Sequence, residues 1–285
     1  MSLKNGFIIM LFLSVILQAK ATGVVGDVLF IHGEKWDLMA KPIQEDTLLL
    51  ERLINFIPKN RTETTTNPDG YVAHWKIKRG TLFLRCIEVF IYNTQTKKTT
   101  SLIYTPKQLK EVFGPYYKRG KIRAQWFSGE LRAGKGELVR YVHSGFERNR
   151  ETENVMNFEC GKLSGSQIYH NYKKDGLGLM QLQKEIIKRF PWYSFPEYEN
   201  KRLVLNLWNF KCTQDGHMAD LNVRIYLPES SSGYIEANEH PLIKAVKETV
   251  KSIYPWEILY INGEYVIHPN NCVMPIGSNM VFRKE

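Results

Sequence analysis

The strongest surface-binding signal is a short basic run set between aromatic pairs. Lys118-Arg119-Gly120-Lys121-Ile122-Arg123 follows Tyr116-Tyr117 and precedes Trp126-Phe127. Interleaved cations and rings suit an anionic polymer or lipid headgroups, because the charges meet anions while the rings meet apolar or planar faces. A basic hairpin loop flanked by core aromatics explains the same pattern. Lys118, Arg119, Lys121, Arg123 and Trp126 are therefore binding candidates with both readings open.

Catalytic patterns are weaker. Gly129-Glu130-Leu131-Arg132-Ala133-Gly134-Lys135-Gly136 nearly matches a phosphate-binding loop, but Gly136 stands where a hydroxyl should hold magnesium. Val139 to His143 also reads as strand, so no helix N-terminus faces a phosphate. The segment is expected to be a glycine-rich turn between strands. No GxSxG elbow and no cysteine in a catalytic signature occurs. His143 sits beside Tyr141 in a strand pattern and reads as structural. Glu147, Glu151 and Glu153 alternate with Arg148 and Arg150, which predicts a solvated loop over Phe146 to Asn154. The four cysteines, at 86, 160, 212 and 272, form no CxxC pair, and no two histidines share a helical i, i+4 spacing. No metal or cofactor is expected, and both free thiols and one structural disulfide remain open.

The elements that position these residues read as an α+β chain. In the N-terminal half a strand at Val28 to Ile31 runs into His32-Gly33, and a helix is predicted at about Thr47 to Phe56. Tyr71 to Ile77 and Thr81 to Tyr92 form a hairpin around Arg79-Gly80. Thr105-Pro106-Lys107-Gln108 carries a helix-start pattern, the helix ending at Gly114. Further strands are predicted at Ile122 to Phe127, Glu137 to His143 and Val155 to Cys160. An antiparallel β-rich domain over 27–165 results. Asp175 to Phe190 shows a helical apolar stripe stopped by Pro191, and with the aromatic seam of Trp192, Tyr193 and Phe195 it fills a linking segment over 166–199.

Residues 1–21 read as a secretory signal: Lys4, an apolar run from Phe7 to Leu17, and Ala19-Lys20-Ala21 as cleavage site. The run is about half of what a membrane crossing needs, so the mature chain is expected to lack a stable transmembrane anchor and to reside in the periplasm. Lys and Arg number 39 against 29 Asp and Glu, and loss of Lys4 and Lys20 leaves a basic excess. Outside the cytoplasm the available polyanions are envelope polymers and headgroups, so no nucleic acid partner is expected.

The final stretch orders strand, turn, strand, helix, strand: Leu203 to Cys212, Gln214-Asp215-Gly216-His217, Leu221 to Leu227, an amphipathic helix over Asn238 to Tyr254, and a return over Tyr265 to Ile276. With Asp215-Gly216, His240-Pro241-Leu242, Ala245, Trp256, Gly263 and Val273-Met274-Pro275-Ile276 in that order, residues 200–285 resemble the C-terminal domain of TonB-like proteins. That family usually has a proline shortly after the equivalent of Trp256, where this chain has Glu257 and Ile258. The anchor and proline-rich spacer of an energy transducer are not present, so energy transduction is not expected. The resemblance implies a hairpin, a crossing helix and a third strand, and a small domain that pairs an edge strand with an envelope protein. A scaffold merely packed on the first domain fits equally. Trp256 and Tyr260 are the binding candidates here. On this topology Cys212 and Cys272 are expected at opposite ends of the sheet and unbonded.

These readings converge on a non-catalytic binding protein of the bacterial cell envelope. The alternative is a periplasmic hydrolase acting on a glycan or peptide in an inter-domain cleft, and a purely structural envelope component is a third reading.

Overall fold

The computed structural model describes residues 23–228 and 233–280. The expected signal and its cleavage point lie outside the described residues. The described part is mixed α+β and strand-rich. It divides into two compact units, one of residues 23–136, 141–148 and 153–168, the other of 137–140, 149–152 and the described residues of 169–280. Among the described residues no helix is long and apolar enough to cross a membrane.

The first unit begins with β1 (Asp27–Ile31) and β2 (Glu34–Leu38), followed by helix α1 (Thr47–Phe56). Then come β3 (Tyr71–Lys78), β4 (Thr81–Asn93), β5 (Lys98–Tyr104), β6 (Tyr117–Lys118) and β7 (Lys121–Arg123). Three strands that reach both units follow: β8 (Gly129–Tyr141), β9 (Arg148–Glu159) and β10 (Lys162–His170). The sheet order is β10-β9-β8-β2-β1-β3-β4-β7-β6, with β5 also on β4. Lys162 pairs with Thr81, so β10 returns to β4 and closes the sheet on itself, which satisfies backbone groups that an open edge would leave to solvent. One pairing departs from the antiparallel expectation: β1 runs parallel to β3, because β2 and α1 lie between them and supply the crossover that a parallel pair needs.

Local chemistry explains the elements. Arg79 and Gly80 both take positive φ, 49° and 64°, as a tight hairpin turn demands. Asp46 caps α1 by accepting from the Leu49 N–H at 3.0 Å. In β3 Tyr71, Ala73 and Trp75 are buried on one face with Leu29, Leu82, Leu84 and Phe113, while Val72, His74 and Lys76 share the other face. Where β1 starts, the buried Asp27 carboxylate accepts from the Ala73 N–H at 3.0 Å and the Trp75 indole N–H at 2.8 Å. It thereby ties β1 to β3.

Four expectations of the first unit are corrected. Thr105 to Gly114 forms turns and no α-helix, although Gln108 does reach back to the Thr105 N–H at 2.9 Å. Gly129 to Gly136 lies inside β8 instead of forming a turn, and Ile122 to Phe127 is strand only as far as Arg123. Phe146 to Asn154 is mostly β9, with Asn149 and Glu153 fully buried. Asn149 accepts from Arg140 Nε at 2.7 Å, and such a partner makes a polar strand burial tolerable while leaving no trace in the local pattern.

The second unit holds β11 (Tyr172–Lys174), α2 (Leu179–Arg189), β12 (Leu203–Cys212), β13 (Met218–Tyr226), β14 (Tyr234–Ile235) and α3 (Pro241–Lys251). It ends with β15 (Ile258–Ile261), β16 (Glu264–Val266) and β17 (Asn271–Ile276). The sheets are β14-β13-β12-β17 and β11-β15-β16. Leu242, Ile243, Val246 and Val250 of α3 are buried with Leu203, Leu205 and Leu207 of β12. His240 caps the helix through Nδ1, which accepts from the Leu242 N–H at 3.2 Å. The expected single strand over Tyr265 to Ile276 is two, one pairing β15 and the other β12.

All four cysteines are free. Cys212 and Cys272 are not at opposite ends of the sheet, because β17 runs antiparallel to β12 and starts near that strand's end. Cys272 is opposite Leu207, about 16 Å along the strand from Cys212, which keeps them unbonded.

Trp256 is 1% exposed and its ring lies 6.2 Å from Phe210. It packs a core and presents no surface to a partner, so its binding role is withdrawn. Truncating Trp256→Ala is expected to cost about 3–5 kcal/mol of unfolding free energy. Trp256→Phe should cost clearly less, and urea unfolding of both variants checks the difference.

Candidate polyanion-binding face

Across the first unit, strand registers assemble one transverse row on the face opposite Trp75. Phe30 of β1 stands beside Lys35 of β2 and Lys76 of β3. Lys76 faces Phe83 of β4, and Phe83 faces Arg123 of β7. Cross-strand partners share a face, so cations and rings alternate across five neighbouring strands: Lys35, Phe30, Lys76, Phe83, Arg123. At about 4.8 Å per strand the row spans roughly 19 Å, with successive cations about 10 Å apart.

Cations cover the rings. The Arg85 guanidinium lies 4.1 Å from the Phe30 centroid, and that of Arg123 lies 5.9 Å from the Phe83 centroid. Lys35, Arg85, Lys121 and Arg123 are exposed, while Lys76 and Phe30 are half-buried. Partial burial lowers the Lys76 pKa, and the neighbouring charges of Arg85, Lys78 and Lys121 lower it further. Crowded like charges of this kind are relieved by an anion. Nearby acids are engaged elsewhere, Glu34 with Lys135 at 2.6 Å and Glu88 with His74 at 3.0 Å.

Next to the row is a cleft of about 300 Å³ lined by Lys35, Asp37, His74, Glu88 and Arg148, among others. Its charges are mixed, and His74 Nε2 lies 3.0 Å from a Glu88 carboxylate oxygen within it. Among the described residues no cluster of His, Cys, Asp and Glu could hold a metal.

Of the expected site residues, the structure brings Lys121 and Arg123 onto this face. Lys118 pairs with Lys121 across β6 and β7, and Arg119 occupies the turn between them with φ 50°. Trp126 turns away: its indole donates to the Pro42 carbonyl at 3.0 Å and its ring packs on Tyr116, Phe113 and Trp75. Tyr260, in the second unit, stacks on Tyr172 at 5.1 Å and lies 4.8 Å from Tyr265. A hydrogen bond to the Tyr172 hydroxyl pushes Tyr265 up to about 12. Phe30, Lys35, Lys76, Phe83 and Arg85 escaped sequence reading. Their signal is period-2 alternation in strands, which sets Lys76 opposite in sense to Trp75 but does not say which strands are neighbours.

No family model matches the chain, and no curated protein or solved structure matches it either.

Proposed function

We propose that the chain is an exported, non-catalytic binding protein of the bacterial cell envelope whose first unit holds an anionic polymer. The alternating row Lys35, Phe30, Lys76, Phe83, Arg123 is the observation that carries this reading. Cations about 10 Å apart can each meet a separate anionic group along an extended charged chain, while the buried Phe83 and half-buried Phe30 support the Arg123 and Arg85 guanidinium groups from beneath. Retention of the purified mature protein on polyphosphate-coated beads, compared with beads coated with uncharged polyacrylamide, tests it. Retention on neither support, or equally on both, counts against it.

Export is the second part of the proposal and rests on residues 1–21. The mature protein recovered from its host is expected to begin at Thr22, as intact-mass measurement would show; a retained Met1 contradicts export with cleavage.

The TonB-like reading of the second unit is supported by the order β12, β13, α3, β17. Its expected edge-strand pairing has limited room. The outward carbonyl of Pro275 already accepts from Gln183 of α2 at 2.6 Å, and proline brings no N–H to an incoming strand. The free part of that edge is Asn271 to Val273, Val273 being 69% exposed. A hydrolase is the second reading, expected from the sequence to use an inter-domain cleft and here favoured by one observation within the first unit, the His74–Glu88 contact lining its cleft. Turnover of a glycan or peptide that His74→Ala abolishes would support it.

A further inference from the structure

The second unit carries another surface, on the face of β14-β13-β12-β17 opposite the buried Leu205 and Leu207. Two depressions, about 560 and 200 Å³, share Asn206 and Arg224 in their linings and so form one continuous groove. Registers order its floor. Asn271, Trp208 and Asn222 make one row, Val273, Asn206 and Arg224 the next, and Val204, Tyr226 and Tyr234 the third. From Trp208 to Val204 the groove runs about 13 Å.

Its chemistry is aromatic and amide, with charge cancelled. Tyr226 and Tyr234 are 37% and 58% exposed, with ring centroids 5.0 Å apart. The Arg224 guanidinium sits 5.8 Å from the Trp208 ring and 5.7 Å from the Tyr234 ring. Its charge is met by Glu236, at 2.9 Å. At the far end β12 breaks register after Trp208, and Asn209 takes φ 53°; a bulge of this kind re-aims a side chain. The Asn209 amide thereby joins the lining with Asn270 and Asn271. An Asn amide offers both donors and an acceptor, and the side chains of Asn206, Asn209 and Asn271 make no hydrogen bond to another of the described residues.

We infer that this groove binds a neutral glycan chain. Open aromatic faces match the C–H faces of sugar rings, and uncharged amides match hydroxyl and acetamido groups. Among the described lining residues a polyanion would meet one cation, Arg224, already paired with Glu236, and an acidic or basic peptide would have to break that pair. The row on the first unit is a separate surface, so this inference does not depend on it.

The test is titration of the full mature protein, with ¹⁵N-labelled tryptophan indoles, by neutral tetrasaccharides of N-acetylglucosamine and of glucose. The expected result is a saturable shift of the Trp208 indole resonance, assigned through Trp208→Phe, with millimolar or tighter affinity and little dependence on salt. Tyr234→Ala and Asn206→Ala, both at the surface and expected to fold, should each weaken binding at least about tenfold. Lys76→Glu with Arg123→Glu should leave it unchanged. No shift with any tetrasaccharide up to about 5 mM, a shift that survives both variants, or a shift given only by peptides overturns the inference.

Discussion

Reversing two charges, Lys76→Glu together with Arg123→Glu, is expected to lower affinity for a polyphosphate chain about a hundredfold at low salt. Each reversal costs roughly 1.4 kcal/mol at the partly screened, half-exposed sites of the row, between the values for water and for a protein surface. Both cations stand beside Phe83, so the two changes break the middle and one end of the row together. Lys59→Glu is the control. Lys59 is exposed in the same unit, in the turn that follows α1, and donates to the Asn55 side-chain oxygen. If charge were acting without position, it should cost half as much as the double variant on a logarithmic scale; the row predicts a change within about twofold. Isothermal titration at fixed salt separates the two.

The second large effect concerns the group that holds the row in register. Asp27 anchors β1 to β3 through Ala73 and Trp75, and that parallel pairing sets Phe30 beside Lys76. Burial raises its pKa from 3.8 to about 7, against the opposing pull of the Trp75 and Ala73 hydrogen bonds and of Lys41; Asp69 adds a smaller upward push. The folded protein keeps this proton to about pH 7, whereas the unfolded chain releases it near pH 4. The group's contribution to stability is therefore fully present below about pH 4 and is lost as pH rises to 7, by up to the order of 4 kcal/mol. Asp27→Asn cannot titrate. It also turns an amide N–H₂ toward one of two donors, costing about 1–3 kcal/mol. At pH 5 the variant should be less stable than the parent, and by pH 8 the gap should close or reverse. Parallel urea midpoints for both proteins across that range would mean that Asp27 does not titrate as its burial implies.

Elements set by short-range chemistry were legible in the chain. Arg79-Gly80 turns where a hairpin must, α1 spans the predicted Thr47 to Phe56 behind its Asp46 cap, and the stripe of Leu242, Val246 and Val250 faces a core. What depends on distant pairing was not legible. The row needs a parallel β1–β3 contact and a register shift between His74 and Trp75, and neither leaves a local signature. Lys121 and Arg123 were found because they lie together in sequence; Lys35 and Lys76, equally part of the face, were not. Distant contacts also decided Trp126, for which a core reading and a surface reading were both open, and Trp256, a candidate only through the TonB-like resemblance. The indole of Trp126 donates to the Pro42 carbonyl, 84 residues away, and Trp256 packs on Phe210. The groove on the second unit is likewise built from residues of four strands, of which β17 reaches β12 only after α3, β15 and β16 intervene in the chain.

The salt dependence of polyphosphate binding by the unaltered mature protein tests the central claim most directly. With three to five cations of the row and its flanks engaged, the logarithm of the affinity should fall with the logarithm of salt concentration at a slope of about −2 to −3.5, taking the value per contact known for flexible single strands. A slope of that size, reduced in the Lys76 and Arg123 double variant, is the predicted result. Binding that is indifferent to salt, or no binding at low salt, would contradict a polyanion-holding face.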